Sequence, residues 1–113
     1  METKEFKKKY TKSSSTLDVN RMGYIVEKSI ESQGEELSNT IIMEELSELI
    51  KETSKQTRKK GDWHDLLQEM ADVVICLEFL KSEYNISSRE LQQAINVKLD
   101  RLYKRNVLKE KED

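Results

Sequence analysis

Two pairs of acidic residues have the types and spacing to do chemistry together. Glu45 and Glu48 are three residues apart, and Glu69 and Asp72 repeat that spacing. Residues three apart lie on the same face of an α-helix. If the two helices pack side by side in opposite directions, four carboxylates converge at the edge of the core. Such a group repels itself and loses hydration, and a bound cation is the simplest way to stabilise it.

The position of each acid relative to the apolar stripe supports this interpretation. With Ile42 at zero, a helical wheel places Glu45 at about 300° and Glu48 at about 240°. Glu52 falls between them at about 280°, whereas Glu44 lies at about 200°, nearly opposite the stripe. The second acidic pair has similar offsets on its own helix. In a chain with 22 acids one such pair can merely flank a stripe, but two matching pairs on successive helices favour a shared site.

The residue types indicate which cation such a site would bind. The chain has one histidine, His64, and one cysteine, Cys76. These numbers exclude a disulfide framework, a Cys/His zinc module and any site built from several imidazoles. A site made of carboxylates alone favours Mg²⁺, with Mn²⁺ as a substitute, and water or phosphate oxygens complete the coordination.

The acidic residues resemble the motif of a known family. Residues 44–48 read EELSE and residues 69–72 read EMAD. Together they resemble the EExxE…ExxD motif of the all-α nucleoside triphosphate pyrophosphohydrolases, the MazG-like enzymes related to dimeric dUTPases and dCTP pyrophosphatases. The resemblance extends over about residues 20–107. It implies a Mg²⁺-dependent enzyme that cleaves a (d)NTP to a (d)NMP and pyrophosphate.

The resemblance also implies roles for individual residues. Either Glu48 or Glu44 would accept a proton from the attacking water. Two alternatives stay open: phosphoribosyl-ATP pyrophosphatase within the same superfamily, and a non-enzymatic helical interaction or oligomerisation module whose acids only edge an interface. The metal ligands that the resemblance implies are Glu45, Glu48, Glu69 and Asp72.

Basic and aromatic residues are candidates for substrate contacts. Lys98 lies within the apolar stripe of the last predicted helix, and Arg101 and Arg105 lie beside it. A lysine there either covers apolar surface or binds phosphate. The stretch from Asn96 to Arg101 looks like the family's late Asn-x-Lys…Arg segment, which favours triphosphate binding by the three basic residues, with Asn96 as a candidate base contact. Trp63 is either a packing anchor or a second base contact.

Helical periodicity predicts the elements that position these residues. The first two helices are predicted over residues 17–32 and 39–59. A third starts after an N-cap at Asp62 and stops before Asn85, and a fourth starts at a capping box that opens with Ser87. The absence of proline and the presence of only three glycines disfavour a β-sandwich or barrel. We predict an all-α, four-helix antiparallel bundle-like subunit.

Composition predicts how this subunit is organised and assembled. Only 35% of the 113 residues are hydrophobic and 37% are charged. Because small domains bury a small share of their surface, we expect a homodimer or homotetramer that shares a core between subunits. We predict a mobile, basic and Ser-rich arm at 1–16, the helical domain at 17–107 and a charged tail at 108–113.

Charge and hydropathy limit the partners and the location. The net charge of −2 gives no reason to expect nucleic-acid binding. No apolar run approaches the roughly 18 residues of a membrane span, and the first residues contain no apolar stretch typical of a signal peptide. We therefore expect a cytoplasmic protein with no membrane partner and with a nucleoside triphosphate as its substrate.

Overall fold

The computed structural model describes residues 1–108, which confirm the all-α prediction. These residues contain no strand. The tail predicted at 108–113 lies outside the described residues, apart from Leu108 at the end of a short π-helix. The α-helices are α1 (Thr3–Tyr10), α2 (Val19–Gln33), α3 (Glu35–Thr57), α4 (Trp63–Glu83) and α5 (Ser88–Tyr103), followed by the π-helix (Lys104–Leu108).

The chain divides into two units that we describe separately. The first is Met1–Glu83, in which α4 contacts α1, α2 and α3, and its packing against α3 is the most extensive. The second begins at Tyr84 and contains α5, which continues directly into the π-helix. The four predicted helices correspond to α2–α5, and their assembly into one antiparallel bundle stays a prediction.

The helix boundaries follow from local capping residues. Asp18 caps α2 by accepting a hydrogen bond from the Arg21 backbone N–H at 3.0 Å. Gly34 has a φ of 87°, a left-handed conformation that glycine adopts readily, so α2 ends there and α3 begins at the next residue. This direct junction explains why α3 starts four residues before its predicted start at 39. Ser87 forms the predicted capping box with Glu90 at the start of α5.

The connection between α3 and α4 spans residues 58–62. Lys59 has a φ of 57°, and the chain leaves the helix two residues before its predicted end. Gln56 donates a hydrogen bond from Nε2 to the Asp62 carbonyl at 3.0 Å, which ties the connection back to α3. The Asp62 side chain accepts a hydrogen bond from the His64 backbone N–H at 2.8 Å, as expected of an N-cap. These contacts position the start of α4 beside the end of α3.

Helix α1 is an addition that the sequence interpretation of residues 1–16 as an arm did not predict. Thr3 donates a side-chain hydrogen bond to Asp65 in the first turn of α4. Lys7 forms an ion pair of 2.7 Å with Asp62. The Tyr10 ring also meets the His64 ring of α4 edge-on, with centroids 6.1 Å apart. Contacts with α4 therefore accompany the formation of a short helix in this lysine-rich segment.

The core of the first unit is small. Val26 on α2, Ile42 on α3 and Cys76 on α4 are its buried hydrophobic residues, and Ser38 on α3 is also buried. Cys76 therefore has the buried position expected of a small hydrophobic residue. Several apolar residues of α3 and α4 are 41–70% exposed: Leu46, Ile50, Met70 and Leu77.

Candidate metal centre

Three of the four predicted metal ligands come together between α3 and α4. Glu45 on α3 and Glu69 and Asp72 on α4 each offer an oxygen, and these three oxygens lie within 4.8 Å of one another. We call these three residues the acidic centre. Each of them is half-buried. A hard divalent cation binds carboxylate oxygens gathered in this way, and the remaining positions are open to water or to phosphate.

The electrostatics of the acidic centre favour a bound proton or cation. Burial raises the pKa of Glu45, and the negative charges of Glu69 and Glu48 add to that effect. Burial and the charge of Glu45 raise the pKa of Asp72 to about 6, an effect that the Met1 α-amino group offsets only in part. The pKa of Glu69 is raised by burial and by its acidic neighbours. Like charges held together out of water favour whatever positive species can neutralise them.

The two remaining acids of the motif lie outside this group of oxygens. Glu48 is half-buried and accepts a hydrogen bond from Lys51 Nζ at 3.2 Å. Its charge nevertheless acts on both Glu45 and Glu69, so it lies close to the acidic centre. Glu44 is exposed, in keeping with its wheel position away from the other acids.

A further acid, Glu52, was not among the predicted site residues. It is only 8% exposed, and its charge acts on Glu69 across the contact between α3 and α4. Its wheel position between Glu45 and Glu48 was the signal that could have identified it. The EExxE motif ends at Glu48, so the family resemblance could not identify Glu52.

The pairings between α3 and α4 show that the two helices run in opposite directions. Glu45, the earlier residue on α3, has a carboxyl oxygen within 4.8 Å of one from Asp72, and its charge also acts on Cys76, one turn later on α4. Glu52, later on α3, acts on the earlier Glu69. The antiparallel arrangement expected for these two helices is therefore observed, and it is what brings the two acidic pairs together.

The predicted phosphate-binding residues lie together in the second unit. Lys98, Arg101 and Arg105 line an open cavity of about 370 Å³ with Leu102. The three basic side chains are exposed, and they recur along one face of the helical segment. They form a positively charged surface that can bind an anion with two guanidinium groups and one ammonium group.

The two candidate base contacts are both exposed. Trp63 is 57% exposed and meets the His64 ring edge-on, with ring centroids 5.1 Å apart. An indole this exposed is not packed into the core of the chain, so the packing role is not observed within residues 1–108. Asn96 lies on α5 and is also exposed.

A second cavity lies in the first unit, at the start of α2. Its volume is about 420 Å³, within the range of small-molecule sites. The apolar walls come mainly from α2 and from Ile75, which lies one turn after Asp72 on α4. Polar residues of the preceding loop, together with Asp18 and Arg21, also line it. The sequence analysis did not identify this cavity, because its walls come from separate segments.

Comparison with protein-family models, with curated proteins and with solved structures finds no match to this chain. The family resemblance therefore rests on the motif residues quoted above. None of the helices within residues 1–108 is long and apolar enough to cross a membrane.

Proposed function

We propose that this protein is a Mg²⁺-dependent nucleotide pyrophosphohydrolase that converts a (d)NTP to a (d)NMP and pyrophosphate. The observation that carries the proposal is the convergence of Glu45, Glu69 and Asp72 from two helices to within 4.8 Å. The i, i+3 spacing of the acids on two successive helices predicts this convergence. The raised pKa values of all three acids support a site whose natural occupant is positively charged.

The acidic residues would divide the chemistry between them. When bound, Mg²⁺ would neutralise phosphate oxygens and lower the pKa of a water molecule. The acidic centre would hold the ion, while Glu48 or Glu44 accepts the proton of the attacking water. The water oxygen then bonds to the α-phosphorus, the bond from that phosphorus to the bridging oxygen breaks, and pyrophosphate leaves.

The substrate contacts belong to the same proposal. Lys98, Arg101 and Arg105 stay candidates for binding phosphate, because their exposed charges line one cavity of the second unit. The cavity at the start of α2 would receive the nucleobase, since its walls are apolar and its edge offers hydrogen-bonding groups. Trp63 and Asn96 stay candidates for further base contacts.

Exposed apolar residues support the proposed homodimer or homotetramer. Val74 on α4 and Ile50 on α3 are 52% and 70% exposed. On α5, Ile95 and Leu99 are 45% and 54% exposed. Apolar stripes on several helices are typical of surfaces that pack against another chain. Size-exclusion chromatography with light scattering tests this part of the proposal, and a monomer at micromolar concentration would contradict it.

The same exposed residues favour the competing hypothesis of a non-enzymatic interaction module. Thermal unfolding in Mg²⁺, Mn²⁺ and a chelator separates the two functions. A site that forms only in the folded chain raises Tm by mass action when the cation is added. A solvated acidic edge of an interface gives no shift specific to these cations.

The direct test is pyrophosphate release from a panel of NTPs and dNTPs with Mg²⁺. Phosphoribosyl-ATP belongs in the panel, because its pyrophosphatase carries out the same bond cleavage. Glu45→Gln and Asp72→Asn should abolish turnover while the far-UV circular dichroism spectrum is retained. Glu36→Gln, an exposed acid elsewhere on α3, is the matched control and should keep full activity. Unchanged turnover in purified Glu45→Gln protein would overturn the proposal.

A further inference from the structure

One wall of the cavity at the start of α2 comes from the connection between α1 and α2. Ser13, Ser14, Thr16 and Leu17 line the cavity from this connection, and the other lining residues belong to the first turns of α2, with its N-cap, and to α4. Every residue from 11 to 18 is exposed, so no core packing holds the connection in place. The size of the cavity therefore depends on where the connection lies.

The hydrogen bonds of the connection are all local. The Ser13 hydroxyl donates a hydrogen bond to the Tyr10 carbonyl at 2.9 Å, and the Thr16 backbone N–H donates one to Ser14 Oγ at 3.0 Å. Within residues 1–108, no hydrogen bond joins residues 11–17 to α2, α3 or α4. The wall of the cavity is therefore positioned by α1 at one end and by its covalent link to α2 at the other.

Helix α1 is itself attached to the first turn of α4. Asp62 Oδ2 lies 2.7 Å from Lys7 Nζ, while Oδ1 of the same carboxylate accepts a hydrogen bond from the His64 backbone N–H at 2.8 Å. Thr3 and Tyr10 supply the hydrogen bond and the ring contact described above. One carboxylate thus caps α4 and also pairs with α1.

This attachment is weak enough to be broken and remade. The side chains of Lys7 and Asp62 are 45% and 35% exposed, and an ion pair this exposed contributes little to stability. A helix of eight residues is not stable in water by itself. Detachment of α1 therefore unfolds it, and a segment with so few contacts opens more readily than the rest of the chain.

We propose that residues 3–17 form a strap that opens and closes the cavity at the start of α2, and that the ion pair of Lys7 with Asp62 keeps the strap closed. The closed strap completes the wall around a bound ligand, and the open strap admits the ligand. Because only the closed state offers the whole cavity, affinity depends on the fraction of chains in that state. Lys7 is therefore a positioning residue. The choice of a nucleobase as the ligand rests on the proposed function.

Hydrogen exchange of the ligand-free full chain, followed by mass spectrometry, tests the strap. Lys7→Met should speed exchange of residues 3–17 about two- to fivefold and leave α2 and α3 unchanged. Lys7→Arg keeps the ion pair and should keep the slow exchange. Lys8→Met, from the same helix and equally exposed, is the matched control. Equal exchange of residues 3–17 in the Lys7→Met and Lys8→Met proteins would overturn the inference.

Nucleoside monophosphates test the link between the strap and the cavity, because these products bind without turning over. At about 100 times its Kd, a monophosphate that binds only the closed state should slow exchange of residues 3–17 about a hundredfold. A monophosphate that binds by calorimetry but leaves this exchange unchanged would overturn the inference. In pyrophosphate release, Lys7→Met should raise KM and leave kcat unchanged. A purely structural loss of folded protein would instead lower kcat.

The results separate the strap from the proposed function. If Lys7→Met speeds exchange but no nucleotide is bound or cleaved, the function and the nucleobase are removed and the strap is retained. If pyrophosphate is released but Lys7→Met keeps both the exchange and the KM of the unchanged protein, only the strap is removed.

Discussion

Glu45 on α3 and Asp72 on α4 bring carboxyl oxygens to within 4.8 Å of each other, although both are acids. Two like charges this close and partly out of water favour the state in which one of the two groups carries a proton. Burial and the charge of Glu45 raise the pKa of Asp72 to about 6, so the folded chain retains this proton well above the ordinary range. Protons and divalent cations must therefore compete for the acidic centre.

This competition predicts how stability changes with pH when no cation is present. The pKa of Asp72 is about 6 in the folded chain and 3.8 ordinarily, so folding binds a proton between these values. Proton binding by Asp72 therefore stabilises the folded chain fully below the ordinary pKa of 3.8. This stabilisation is lost as the pH rises through about 6. Urea unfolding in a chelator should show the free energy of unfolding falling over that window, and saturating Mg²⁺ should counteract the fall.

Asp72→Asn is the control for that experiment, because its amide keeps the shape of the side chain without titrating. In this variant the free energy of unfolding should no longer fall between the ordinary pKa of 3.8 and about pH 6. The variant should also lose most of the stabilisation by Mg²⁺. The prediction is contradicted if the unchanged protein and the variant show the same dependence on pH in a chelator.

The acidic centre illustrates what the sequence could and could not predict. The i, i+3 spacing of Glu69 and Asp72 depends only on helix geometry, so their shared face was predictable. Amphipathic helices joined by a short connection pack as antiparallel neighbours. The approach of Glu45 on α3 to Glu69 and Asp72 on α4 was therefore predictable as well. The burial of Glu52 was not predictable in this way, because a wheel gives the direction of a side chain but not the depth to which neighbouring helices cover it.

The same limit explains the differences in the fold. The Ser87 capping box acts over three residues, so local sequence could predict it. Helix α1 is held by long-range contacts such as Lys7 with Asp62, which no local pattern reveals. Trp63 looked like a packing anchor because tryptophan usually is one, yet the chain leaves it 57% exposed.

The attachment of α1 predicts a second pH effect, of opposite sign and at lower pH. The hydrogen bond and charge of Lys7 and the His64 backbone N–H lower the pKa of Asp62 to about 2. Because this pKa lies below the ordinary value of 3.8, the ion pair stabilises the fold above that value and is lost as the pH falls through about 2. Lys7→Met should therefore unfold at lower urea concentration than the unchanged protein at about pH 5.

The difference between Lys7→Met and the unchanged protein should shrink at about pH 2, where Asp62 becomes protonated. Lys8→Met is the matched control, because Lys8 lies on the same helix and is exposed. If both variants unfold alike at the higher pH, the ion pair does not contribute to the attachment of α1.

The basic cavity of the second unit predicts a loss of substrate affinity on substitution. Arg101→Gln removes a charged donor to phosphate, and losing a charge-assisted hydrogen bond of about 1.5 kcal/mol raises KM roughly tenfold. Arg101→Lys should recover only part of the loss, because lysine cannot bind phosphate with two parallel donors. Steady-state pyrophosphate release measures both variants. Arg89→Gln is the matched control, because Arg89 lies on α5 but outside the cavity lining, and this variant should keep the KM of the unchanged protein. An equal KM for the Arg89 and Arg101 variants would exclude the phosphate contact.

Cys76 offers a probe of the acidic centre that does not depend on catalysis. It is 5% exposed, and burial together with the charges of Glu45 and Asp72 raises the pKa of its thiol to about 11. Since the thiolate is the reactive form, alkylation of the folded chain at about pH 8 should be at least a hundredfold slower than that of the unfolded chain. Any reaction that does occur then reports local opening of the contact between α3 and α4.

Mg²⁺ should slow this alkylation further, because a cation bound by acids from both helices stabilises the closed state by mass action. The rate should fall as Mg²⁺ is raised through its dissociation constant, as followed by mass spectrometry of the labelled chain. Asp72→Asn removes a ligand on the same helix and should abolish the effect of Mg²⁺ on the rate. A rate that does not depend on Mg²⁺ in the unchanged protein would show that no cation joins α3 to α4.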